Sequence, residues 1–168
     1  VDIPLLQCEK TEIWARPVSP YASNGVGMLF LPEVDDEVVL QFINEDPCHP
    51  VIIGSLYSRK RKTPVSLDPK NNLKTIVTKN QLKITLDDDK KIITIGTPGE
   101  NTLILDDDKK QILLSDANKN KVCMDKNGIM VESGKDLIFK ARGNVKTEGM
   151  GIESKSKQDT KINGLNIE

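Results

Sequence analysis

LDDDKK stands at 86–91 and again at 105–110, nineteen residues apart. One further step of nineteen lands on Met124-Asp125-Lys126-Asn127-Gly128, a shortened copy of the same turn. Apolar residues alternate into each copy: Leu82, Ile84 and Leu86, then Leu103 and Leu105, then Val122 and Met124. They alternate out again at Ile93 and Ile95, Ile112 and Leu114, and Ile129 and Val131. Alternation at period two marks a strand with one face in a core, and Asp, Asn and Gly are turn residues. The unit is therefore strand, turn, strand, and its fixed short period predicts a β-solenoid or stacked β array.

Beyond Gly134 the period shortens. Leu137, Phe139 and Ala141, then Val145 and Thr147, Ile152 and Ser154, and Ile162, Leu165 and Ile167 read as short strands between glycines. Residues 153–161 (ESKSKQDTK) contain no apolar side chain. So thin an inward face cannot make a core from one chain, and stacking on other copies is the expected way to bury it. The inward set is Leu103, Leu105, Ile112, Leu114, Val122, Ile129 and Val131, continued by Leu137, Phe139, Val145, Ile152, Ile162, Leu165 and Ile167.

Upstream of the repeat the composition changes. Residues 1–58 hold both tyrosines, the single tryptophan and two of the three phenylalanines; after Tyr57 the only aromatic is Phe139. A globular domain draws much of its buried area from aromatics, so the second part is not an ordinary globule. The net charge of −1 also conceals a split, −7 over residues 1–58 and +6 over 59–168. Strand-like runs recur at Val1–Leu6, Glu12–Pro17, Gly27–Leu31, Glu37–Ile43 and Val51–Leu56, with turn chemistry at 20–25, 32–36 and 44–50. Val38, Leu40 and Phe42 share one face of the fourth. Five short strands without a helical period predict a small, nearly closed barrel. The expected organisation is a barrel over 1–58, a linker over 59–72 and a repetitive β rod over 73–168.

Few residues offer chemistry. His49 is the only histidine, which excludes a multi-histidine metal site within the chain. Its neighbour Cys48 points away from it on a strand-like turn, so the two do not form a nucleophile and base. The aspartate triplets at 87–89 and 106–108 lack the D-x-D-x-D-G layout and distal Glu of a calcium loop and read as solvated turns. Gly25-x-Gly27 has no following Lys-Ser/Thr or helix, so it is no phosphate loop. Arg59-Lys60-Arg61-Lys62 could touch nucleic acid, but it adjoins an acidic barrel that repels phosphate, and it reads as linker. Cys8, Cys48 and Cys123 are odd in number and widely spaced, as expected of reduced thiols in a chain folded in a cytosol. No catalytic, cofactor or metal site is expected. No apolar run approaches the length of a membrane span, so no stable membrane anchor is expected. The opening VDIPLL, without an initiator Met, reads as a piece of a longer protein.

Residues 13–58 resemble the OB-fold domain of the contractile-injection spike family. That family includes the valine-glycine repeat protein G (VgrG) of type VI secretion, phage baseplate spikes and the spikes of extracellular injection particles. The resemblance rests on Trp14-x-Arg16, on Gly25 and Gly27 before Phe30, on Pro32 to Val38, and on Asp46 to Tyr57, which includes Gly54. The rest of the chain is similar to the family's β-helical needle. A glycine usual before Asp-Glu-Val is Asp35 here, and Asp tolerates left-handed backbone better than most residues. The resemblance implies an all-β fold, a five-stranded OB-type barrel followed by an intertwined trimeric β-helical prism. Trp14, Phe30, Val38, Leu40, Phe42 and Gly54 would be structural in the barrel. It further implies a homotrimer, a PAAR-like tip protein at the distal end and an Hcp-like tube or baseplate proteins at the proximal end. Effectors could ride on it, and it would assemble in the bacterial cytoplasm before injection through a target envelope. No lysozyme-like insert and no terminal His-x-His pattern is present, so neither wall hydrolysis nor a metal-capped tip is implied. Two alternatives belong to other classes: an OB-type nucleic-acid-binding module with a β tail, and a tail-fibre-like adhesin. The acidic barrel argues against the first, and the lack of an aromatic-rich distal head against the second.

Overall fold

The computed structural model describes residues 1–3 and 12–162. Leu165, Ile167 and Cys8, and the second half of the Val1–Leu6 run, lie outside them.

In the N-terminal region Arg16–Pro17 (β1), Ala22–Ser23 (β2), Val26–Gly27 (β3), Val38–Phe42 (β4) and Pro50–Ser55 (β5) are strands. β4 and β5 form an antiparallel pair with an irregularity between Val39 and Leu40, and β1 lies parallel to β5 on its other edge. Asp46 organises the β4–β5 connection: its Oδ1 accepts the Cys48 amide at 2.8 Å, and its Oδ2 lies 3.0 Å from His49 Nδ1. β2 and β3 are a separate hairpin: β2 and the loop lie inside the stretch expected as a turn (20–25), and β3 follows it, ending on the first residue of the expected 27–31 strand. Gly25 supplies its left-handed residue (φ 72), and a Cβ at Gly27 would stand 2.6 Å from the Tyr21 carbonyl oxygen. Asp35 is left-handed as well (φ 71), the conformation its place in a glycine position demands.

The expected five-stranded barrel does not close among the described residues. The run 12–17 contributes only the two-residue β1, and the run 27–31 contributes only Gly27, the last residue of β3. Pro17, Pro20 and Pro32 lack the amide hydrogen that a longer ladder would need.

The repeat forms one seven-stranded antiparallel sheet in strict sequence order. Its strands are Leu73–Val77 (β6), Lys83–Asp87 (β7), Ile92–Gly96 (β8), Thr102–Asp106 (β9), Gln111–Ser115 (β10), Lys121–Asp125 (β11) and Gly128–Glu132 (β12). Two five-residue strands, one four-residue turn and one five-residue turn make up the nineteen-residue period. Connections this short permit only antiparallel neighbours; a coil of parallel strands needs longer crossovers. Within one chain the array is thus a meander rather than a solenoid. Each long turn carries one left-handed residue, Gln81, Glu100 or Lys119, and the four-residue turns carry Lys91 and Lys110, so the backbone repeats as faithfully as the side chains. Leu82, read as the start of a strand, sits in the 78–82 turn, where its amide donates to Thr78 Oγ1 at 3.1 Å.

Residues 133–162 contain no strand. The alternation over Leu137–Ala141, Val145–Thr147 and Ile152–Ser154 is present in the sequence, but the described residues supply no ladder partner for it, and an unpaired strand has no hydrogen bonds to hold its pleat.

Candidate assembly face

The register of the meander sorts its side chains into two unlike faces. One face carries the row Ile76, Ile84, Ile95, Leu103, Leu114, Val122 and Val131, each directly opposite the next. Beside it runs Lys74, Leu86, Ile93, Leu105, Ile112, Met124 and Ile129. Thirteen of these fourteen positions are aliphatic, over a sheet about 29 Å wide at the usual strand spacing. The opposite face is mixed: Thr75, Thr85 and Thr94 followed by Ile104, Leu113, Cys123 and Met130 along its middle, Val77, Lys83, Gly96, Thr102, Ser115, Lys121 and Glu132 along one side, and Leu73, Asp87, Ile92, Asp106 and Gln111 along the other.

The aliphatic face is open. Ile93 is 39% exposed, Leu105 38%, Ile112 43%, Leu114 53% and Ile129 72%, while Leu103 and Val122 are half-buried. Distally, Leu137, Phe139, Val145, Ile152 and Ile162 are exposed too, Phe139 by 72%. Among the described residues only Pro50, Asp106 and Cys123 are buried. The chain presents 15811 Å² to solvent, whereas a compact monomer of its mass would present about 8,300 Å².

Ion pairs and turn bonds occupy the sheet edges. Along one edge Lys74 meets Asp88, Lys91 Nζ meets Asp108 at 3.0 Å, and Lys109 meets Asp106 at 3.1 Å. The hydrogen bond and charge of Asp108 raise the Lys91 pKa. Asp87 and Asp106, one period apart, each accept the amide three residues on, at 3.0 and 2.9 Å. That amide bond is the main cause of the lowered Asp106 pKa. Asp116 on the opposite edge is lowered by hydrogen bonds from the Asn120 side chain and backbone and then from Asn118. The aspartate clusters are therefore engaged as turn formers.

In the N-terminal region Val38 and Leu40 are half-buried on β4, Phe42 is 37% exposed, and Trp14 and Phe30 are exposed at 98% and 64%. Nothing lies within 4 Å of a Cβ added at Gly54. The basic run meets acid at one point, where Arg61 Nε lies 3.7 Å from Asp36; separately, Lys79 in the 78–82 turn reaches Glu33 at 3.4 Å. Ile76, the first member of its aliphatic row, escaped the sequence reading, although stepping back nineteen residues from Ile95 finds it.

Two family models match the chain. Residues 1–57 match the type VI secretion system/phage-baseplate injector OB domain, and residues 92–162 match the phage baseplate V C-terminal trimerisation domain. The chain belongs to the phage-baseplate and type VI secretion spike family. Among relatives, a type VI secretion system spike protein, VgrG3 of Vibrio cholerae, is 33% identical over 69 residues, 41% of this chain and 7% of that protein. VgrG4b of Pseudomonas aeruginosa is 32% identical over 68 residues, 40% of the chain and 8% of the relative. A V. cholerae protein named as the actin cross-linking toxin VgrG1 is 30% identical over 69 residues, 41% of the chain and 6% of the toxin. The matched segment thus spans less than a tenth of each of these relatives. Within this spike-family chain the OB match covers β1–β5, and the trimerisation match covers β8–β12 and the strandless segment after them. No described helix is long and apolar enough to cross a membrane.

Proposed function

We propose that this chain is a structural element of a contractile injection spike, working as a homotrimer whose three aliphatic sheet faces meet around a common axis. The observation that carries the reading is the pair of aliphatic rows left open across all seven strands. Fully burying one such side chain is worth about 1.5–3 kcal/mol. With about two-fifths of each still exposed, thirteen residues offer roughly 8–16 kcal/mol per chain. That gain is comparable with the roughly 4–15 kcal/mol that association costs, and the distal segment adds to it. A trimer is favoured over a dimer because the matched C-terminal family is a trimerisation domain. The segment 133–162, strandless by itself, would find its ladder partners in the other two copies.

The function is mechanical. Sheath contraction drives the spike through a target envelope, and a continuous backbone hydrogen-bond ladder with short turns transmits axial load. A tip protein caps the distal end, a tube or baseplate joins the proximal end, and effectors travel with the assembly from the cytoplasm in which it forms. This chain performs no catalytic step in that process; the toxin activity named for one relative belongs to that relative. Sedimentation at micromolar concentration should give about three times 18.7 kDa. A folded monomer under those conditions would refute the assembly.

A further inference from the structure

After β12 the chain does not simply run on from the sheet edge. It turns back beneath the 116–120 turn, and one side chain, Asn120, holds it there. Asn120 Oδ1 accepts both the Ser133 hydroxyl and the Gly134 amide, each at 3.0 Å. Asn120 is itself fixed: its Nδ2 donates to Asp116 Oδ2 at 2.9 Å, and its backbone amide donates to Asp116 Oδ1 at 3.0 Å. A Cβ at Gly134 would collide with the Asn118 carbonyl oxygen, so only glycine allows the approach. The redirected chain brings Leu137 to the lining of a cleft of about 450 Å³ that also includes Leu114, Val122 and Val131, three residues of one aliphatic row. It therefore leaves its own sheet on the apolar side.

The repeat contains its own comparison. Asn101, one period earlier, occupies the same turn position, and its Nδ2 donates to Thr97 Oγ1 at 3.2 Å much as Asn120 donates to Asp116. No Asn101 side-chain bond to a following strand exit is present among the described residues. The turn alone therefore does not require the second set of bonds.

We propose that Asn120, Ser133 and Gly134 form an exit pivot, a positioning site that aims residues 135–162 across the aliphatic face toward the neighbouring copies. The pivot marks where a sheet built by one chain gives way to strands shared among three. This inference rests on the trimeric reading.

The test uses the full chain and hydrogen exchange followed separately over the meander (102–132) and the distal segment (137–162). Wild type should be a trimer protected in both regions. Asn120→Ala removes both hydrogen bonds to the exit, and Ser133→Ala removes one of them along with its own bonds to Asp136 and Lys135; each should speed distal exchange by up to about tenfold, with meander protection retained. Gly134→Ala, which forces the backbone apart, should do more. Asn101→Ala should leave the distal segment unchanged. Unchanged distal exchange in Asn120→Ala and Ser133→Ala, with the wild type trimeric, would overturn the pivot. Parallel loss of protection in both regions would also overturn it, reducing Asn120 to an ordinary stabilising turn residue. A monomeric wild type would instead sink the assembly reading, an outcome recognisable before any variant is measured.

Discussion

Ile93 and Thr94 are consecutive residues of β8 that point to opposite faces of the sheet, so the same substitution at each asks which face is inside. Ile93 lies between Leu86 and Leu105; Thr94 lies between Thr85 and Ile104. In Ile93→Lys each chain forfeits burial of the 39% of Ile93 still open to solvent, about 0.6–1.2 kcal/mol. The larger effect is the ammonium. Desolvating it on a dry face costs several kcal/mol per ion, and threefold symmetry brings three copies together without a counter-ion, for about 10 kcal/mol or more per trimer. Native assemblies hold only about 5–15 kcal/mol in reserve, so Ile93→Lys should not assemble at micromolar concentration. Thr94→Lys adds its charge to the opposite, mixed face, beside Thr85, and should remain trimeric, within about 1 kcal/mol of wild type. Sedimentation velocity with far-ultraviolet circular dichroism reads both outcomes. A trimeric Ile93→Lys with an unchanged melting midpoint would refute the face assignment. Dissociation of Thr94→Lys alone would show that the faces are inverted.

Phe139→Ala should lower the assembly's melting midpoint by far more than Ser156→Ala, since truncating a buried Phe costs about 3–5 kcal/mol per site; equal midpoints in calorimetry would mean that Phe139 faces solvent in the assembly. Glu100 is left-handed at φ 62, a conformation costing about 1–2 kcal/mol outside glycine. Glu100→Gly relieves that at an entropic cost of about 0.5–1 kcal/mol, so it should raise the midpoint slightly, and a lowered midpoint would count against the turn geometry. The Asp116 pKa is held below its ordinary 3.8, so its stabilising contribution is complete at neutral pH and disappears as pH falls through that lowered value. Asp116→Asn should flatten the acid limb of a stability–pH profile, and an unchanged limb would exclude Asp116 as a contributor. The acidic N-terminal region should show no sub-micromolar binding to single-stranded nucleic acid at physiological salt by fluorescence anisotropy; tight binding would favour an OB-type nucleic-acid module instead.

Which side chains share a face was decided by sequence alone. Period two has only two phases, so Leu103, Leu105, Ile112, Leu114, Val122, Ile129 and Val131 fall on one side of their strands whatever the strands pair with. The nineteen-residue spacing likewise fixed how much chain each strand-turn-strand-turn unit consumes. Sequence could not choose between a coil and a meander, because both bury the same alternation. The antiparallel pairing of consecutive strands settles that question, and the left-handed residue in each long turn, Gln81, Glu100 or Lys119, is invisible in the sequence because it is not glycine. The N-terminal barrel was harder to read. Its strands depend on distant ladder partners, and two-residue strands such as β1 and β3 leave no periodic signal, so the hairpin over 22–27 shows in the sequence only as the turn chemistry of PYASNG. The exit at Asn120 and Gly134 needed the tertiary structure altogether. Asn101 and Asn120 look alike in the repeat, and only the return of the chain beneath the 116–120 turn gives one of them a second set of partners. Local pattern assigns faces because side-chain direction is a property of a single strand; register, closure and crossing points are properties of pairs, and they exist only once the pairs have formed.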